Sequence, residues 1–108
     1  MNIGQIAKMA QQMQTQMAQA QDELKETTIE ATAGGGAVRI VITGAQEVRS
    51  VEIDPGAVDP EEVEMLQDLV LSAMNEAISR SKELERERMG RIAGGMGIPG
   101  MPGLPGMG

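Results

Sequence analysis

Nine cations and sixteen carboxylates carry almost all the chemical potential of this 108-residue sequence, which has no His, Cys, Trp, Tyr or Phe. Without imidazole, thiol or phenol, the commonest nucleophiles and general bases are missing. No phosphate-loop, nucleophile-elbow or dinucleotide motif is present, so an enzyme is not expected. The absence of Cys removes any disulfide framework or sulfur metal site and fits the cytosol. Asp59, Glu61 and Glu62 could hold a divalent cation, but as a helix cap and first turn they already have a structural use. Gly34 to Gly36 joins two strands and lacks the helix N-terminus that would make it an anion site. No cofactor or metal is implied.

The cations are unevenly placed. Residues 1–25 balance at zero, with Lys8 and Lys25 against Asp22 and Glu23. Residues 26–79 set Arg39 and Arg49 against eleven carboxylates, a balance of −9. From residue 80 onward, Arg80, Lys82, Arg86, Arg88 and Arg91 outnumber Glu83, Glu85 and Glu87, giving +2. A run of this kind could meet phosphates. Pairs such as Glu83 with Arg86 and Glu87 with Arg91 also make it read as a solvated helix. On charge alone the solvated helix is favoured, because a pI near 4.5 argues against a strong nucleic-acid footprint.

The elements that must position these groups are two helices around a β segment. Thr28 to Asp54 crowds β-branched residues between turn signals at Gly34-Gly35-Gly36 and Gly44-Ala45-Gln46, and reads as a three-stranded meander. Val48 falls on the opposite parity from Val51 and Ile53, which points either to a bulge near Arg49 and Ser50 or to a different register of this strand. Before it, Ile3, Ile6, Ala10, Met13, Met17, Ala20 and Leu24 form an uninterrupted heptad seam, suited to packing on the chain's other helix or on a second subunit. After it, Asp59-Pro60-Glu61-Glu62 reads as an N-cap, a first-turn proline and an acidic first turn. Val63, Leu66, Val70, Ala73 and Ala77 then form a stripe, widened by Leu69, Met74 and Ile78, that covers the sheet with Leu66 and Val70 over Ile40 and Ile42. Beyond Arg80 the stripe fades and the helix should project into water, ending at Gly90 or Gly94. The division expected is one domain over 1–93 and a Gly/Pro/Met-rich tail over 94–108, flexible or serving as a short hydrophobic hook. With no aromatic residue for the core and two open sheet edges, an obligate dimer is expected. No apolar run or leader pattern suggests a membrane span or secretion, so a soluble intracellular protein is expected.

Helix, three strands, helix and tail, in that order, closely resemble the YbaB/EbfC nucleoid-associated proteins of bacteria. The match is carried by KMAQQMQTQMAQAQDEL, AGGGAVRIVITG, EVRSVEIDPGAVDPEEVEMLQDLVLSAMNEAI and RMGRIAGGMGIPGMPGL, which together span almost the whole chain. The resemblance implies an α+β fold and a homodimer whose sheets join and whose paired helices extend like tweezers. It also implies a cytoplasmic, nucleoid-associated protein that binds double-stranded DNA and influences gene expression. Carried over by position, the binding surface falls on Lys8, Lys25, Arg80, Lys82, Arg86, Arg88 and Arg91. Helix 1 departs from the family, with Thr15, Gln16 and Ala18 where many members have lysines, so the second helix carries more weight. The competing expectation is a protein-interaction adaptor that docks on recombination or replication proteins through its seam or tail. A third is a structural dimer with no ligand of its own.

Overall fold

A computed structural model describes residues 2–95. The element order is α1 (Ile3–Glu26), β1 (Thr28–Ala33), β2 (Val38–Thr43), β3 (Val48–Ile53), a 3₁₀ turn (Pro55–Ala57) and α2 (Val63–Gly95). The strands form an antiparallel meander in the order β1-β2-β3, the expected α+β architecture.

A capping box opens α1: the Asn2 side chain accepts from the Gln5 backbone N–H at 2.7 Å, and the Gln5 side chain accepts from Asn2 N–H. The β1–β2 turn uses Gly34, Gly35 and Gly36, all at positive φ, where side chains are disfavoured. Pairing of Ile29 with Ile42, Ala31 with Ile40 and Ala33 with Val38 puts the apolar residues of both strands on one face. Across the other ladder, Val41 pairs with Ser50 but Ile42 pairs with Val48, so Arg49 is the extra residue of a bulge. Of the two expectations for this strand, the bulge is the one found. It returns Val48 to the face occupied by Val51 and Ile53, which a regular strand would not do.

The first part of α2 covers this face over β1 and β2. Ala73 and Ala77 are fully buried against Ala31, Val38, Ile40 and Ile42, with Leu66, Leu69, Val70 and Met74 packed partly around them. Small residues at the closest approach let the helix backbone come near the sheet. Ile78, expected on the covering face, is 36% exposed instead, because the buried row steps from Ala77 to Ser81. Nothing covers β3 among the described residues: all six of its residues are exposed, Val48, Val51 and Ile53 included.

The helix begins later than expected. Asp59 to Glu62 is a turn, closed by Glu62 N–H on Asp59 O at 2.8 Å, with the Asp59 carboxylate accepting from Glu61 N–H at 3.0 Å. The i to i+4 ladder starts only with Leu66 N–H on Glu62 O. At the far end α2 runs through Gly90 and Gly94, neither of which stops it. An exposed mid-helix glycine costs only about 1 kcal/mol. The expectations for the tail beyond Gly95 lie outside the described residues.

Candidate nucleic-acid interface

Three segments meet where the sheet ends and the helices leave it. Ser81, fully buried, donates from Oγ to Thr43 O at 2.6 Å and accepts from the Gln46 backbone N–H at 3.1 Å and Gln46 Nε2 at 3.0 Å. The Thr43 hydroxyl in turn accepts from Ala45 and Glu47 N–H. Gln46 sits at φ 60°, an uncommon conformation that the network holds in place. Beside it, Gly44 N–H donates to both Leu24 O and Thr27 O at 2.9 Å. The end of α1 is tied in a second way, by Arg49, whose guanidinium donates to Lys25 O at 2.9 Å. The bulge therefore also supplies a cation to the negative end of the α1 dipole.

Beyond this junction α1 and α2 run side by side as an arm. Leu24, against Gly44, marks its base, and farther out Met17 and Gln21 share a groove with Lys82, Glu85, Arg86 and Met89. The two helices are therefore antiparallel, and α2 continues for fourteen residues past Ser81, about 21 Å.

The seven cations expected at the interface occupy different settings. Arg80 is at the base, donating from Nη1 to Glu30 O on β1 at 2.6 Å. Arg86 pairs with Glu83 at 3.0 Å, Arg91 pairs with Glu87, and Lys25 lies 3.9 Å from Asp22. These pairs are exposed, so they are weak and exchange readily with a phosphate. Lys8, Lys82 and Arg88 make no ion pair among the described residues. Lys82, Arg86, Arg88 and Arg91 thus occur together on the arm of α2. Lys8 lies on the facing helix beyond Met17, while Lys25 and Arg80 lie near the junction.

The outer face of the sheet has the opposite character. Arg39 sits between Glu52 at 2.9 Å and Glu30 at 3.2 Å. The hydrogen bond to Glu52 first, then the charge of Glu30, hold its guanidinium above its ordinary pKa. It is committed to that pair of carboxylates and leaves the body acidic. The sequence placed Gln46 in a turn and Arg49 near a bulge without giving either a contact, and it gave no role to Ser81. A polar residue at a position in the apolar stripe was the only available signal for Ser81.

Comparison with known proteins gives this arrangement its context. The model of the YbaB/EbfC DNA-binding family matches residues 1–96. A protein of Acetivibrio thermocellus named "Nucleoid-associated protein" is 50% identical over 96 residues, covering 89% of this chain and 85% of that one. Another of the same name from Moorella thermoacetica is 50% identical over 102 residues, covering 92% and 98%. The crystal structure of an uncharacterised Helicobacter pylori protein has a TM-score of 0.77 at 22% identity, over 86% of this chain and 98% of that one, which supports the fold. With a family match over the whole described length and relatives at half identity, the chain belongs to the YbaB/EbfC DNA-binding family.

Proposed function

We propose that the protein is a homodimer that binds double-stranded DNA through the arms formed by α1 and the second half of α2, and so acts in nucleoid organisation and gene expression. The observation that carries this reading is the separation of charge: Lys82, Arg86, Arg88 and Arg91 project on a helix clear of the sheet, while the body holds eleven carboxylates against two arginines over residues 26–79. A negative body repels the duplex and leaves the arms as the favourable approach. Phosphate contact dominates over base reading, because no short set of side chains on α2 is arranged like a recognition helix.

Dimerisation is supported by what the single chain leaves open. Val48, Val51 and Ile53 continue the core face beyond α2 with no cover, and Val63, Leu66, Val70, Leu71 and Met74 line an apolar groove. Arg80 occupies an edge carbonyl of β1, which makes β3 the better edge for joining a second sheet. The test is a titration of the isolated protein against random and defined duplexes at several salt concentrations, with sedimentation of the free protein. Salt-sensitive binding of all duplexes by a dimer is expected. Salt-insensitive or absent binding would favour the adaptor reading, in which recombination or replication proteins are the partners.

A further inference from the structure

The chain has ten Met but no Cys, His, Trp or Tyr, so its thioethers are the only side chains that a peroxide oxidises readily. Among the described residues they are unevenly placed. The buried core of the body is Ala31, Val38, Ile40, Ile42, Ala73 and Ala77, and Met74 alone brings sulfur to its margin. The arm is the reverse. Between Ile6 and Leu24 the only large apolar residues of α1 are Met9, Met13 and Met17. Opposite them, the large apolar residues of α2 beyond Ser81 are Leu84, Met89 and Ile92, all half-buried.

Met17 is 39% exposed and shares a groove with Met89, Gln21, Lys82, Glu85 and Arg86. An oxidant can therefore reach sulfur here without unfolding the chain. Hydrogen peroxide transfers one oxygen atom to the thioether, a two-electron step that leaves methionine sulfoxide and water and needs no group on the protein. A sulfoxide oxygen kept in the seam between the helices would be a polar group without a partner. In the groove, by contrast, Gln21, Lys82 and Arg86 carry donors that can meet it.

We propose that Met17 and Met89 are a reversible oxidation site, whose conversion to sulfoxide frees α1 from α2 along the arm while the sheet and the first half of α2 stay folded. The oxidised side chains leave the seam for the donors of the groove. The arm thereby responds to peroxide, and methionine sulfoxide reductases reset it. This is independent of the DNA reading, because the site and its effect belong to the free protein.

Treating the full-length protein with hydrogen peroxide, followed by peptide mass mapping, should place sulfoxide on Met17 and Met89. Amide exchange over residues 10–20 should then speed by about tenfold, with Ile40 and Ile42 unchanged. Methionine sulfoxide reductase should restore slow exchange. Met17→Leu with Met89→Leu nearly conserves volume but cannot take the oxygen, so exchange should stay slow after the same treatment. Met17→Gln sets a polar end in the seam with no oxidant and should speed exchange by itself. The proposal is overturned if peroxide leaves Met17 and Met89 unmodified, or if they become sulfoxides with exchange unchanged. It is equally overturned if the leucine variant is accelerated as much as the wild type, or if Met17→Gln exchanges as slowly as the untreated wild type. Acceleration at Ile40 and Ile42 together with the arm would refute it too, since the whole domain would then have opened.

Discussion

Gly44→Ala is the most informative single change at the base of the arm. A Cβ there would lie 2.6 Å from Leu24 Cδ2, 3.2 Å from Leu24 Cβ and 3.2 Å from the Leu24 carbonyl oxygen. Leu24 is only 1% exposed and has little room to turn aside. Nor can the turn retreat freely, because Gly44 N–H holds both Leu24 O and Thr27 O. Overpacking of this kind costs about 1 to 3 kcal/mol. Leu24→Ala, which empties a buried site, should cost about 2 to 5 kcal/mol. The two substitutions relieve each other, so the double variant should be more stable than the sum by at least about 1 kcal/mol. Urea unfolding of the four proteins at one concentration, followed by circular dichroism, measures the cycle. Additivity within about 0.5 kcal/mol would refute the packing of Leu24 on Gly44.

Ser81→Ala should destabilise by about 1 to 3 kcal/mol, the cost of unpairing buried polar groups, towards the lower end because Gln46 Nε2 keeps Gly44 O and Gln46 N–H keeps Thr43 O. Equilibrium unfolding with no measurable loss would contradict the buried network. Leu66 is half-covered in the single chain, so Leu66→Ala reaches about 2 to 5 kcal/mol only if a second copy completes its burial; a loss below about 0.5 kcal/mol at high protein concentration would remove Leu66 from any interface. Thermal midpoints of the wild type should rise with protein concentration if folding and dimerisation are linked, and a stable folded monomer at nanomolar concentration would contradict that. Val51→Asp places a charge on the uncovered β3 face and should shift sedimentation towards monomer, an outcome not expected if that face stays open to water.

The fold was legible where local chemistry and packing agree. Alternation in Val38, Ile40 and Ile42, the glycine triplet and the parity break at Val48 located the sheet, its first turn and its bulge. The start of α2 was less legible: Asp59-Pro60 carries cap chemistry, yet the same residues suit a turn, and only the ladder beginning at Glu62 distinguishes the two. Ile78 was misplaced because helical spacing defines a stripe about 100° wide or more, whereas the sheet selects the narrower row Ala73, Ala77 and Ser81. At the candidate interface, the cationic run of α2 was visible as charge, but its division was not. Arg80 turns back to β1 because the sheet edge lies within its reach, a long-range relation that spacing along one helix does not contain. The same holds for Arg49, whose role as a cap on α1 depends on the bulge that turns it.

The central claim is that phosphate neutralisation by the arms supplies the affinity for DNA, and the salt dependence of binding tests it most directly. Competition from Glu83, Glu85 and Glu87 limits the dimer to about 4 to 6 neutralised phosphates, giving a slope of log K against log salt of roughly −4 to −5. The measurement is this slope for the wild type and for a variant carrying Arg86→Gln, Arg88→Gln and Arg91→Gln, with circular dichroism and sedimentation confirming that fold and assembly are retained. Weaker binding to every duplex alike and a flatter slope are predicted for the variant. Unchanged affinity and slope in the folded variant would contradict the account, reducing the α2 cations to a solvated face and moving the DNA site to α1.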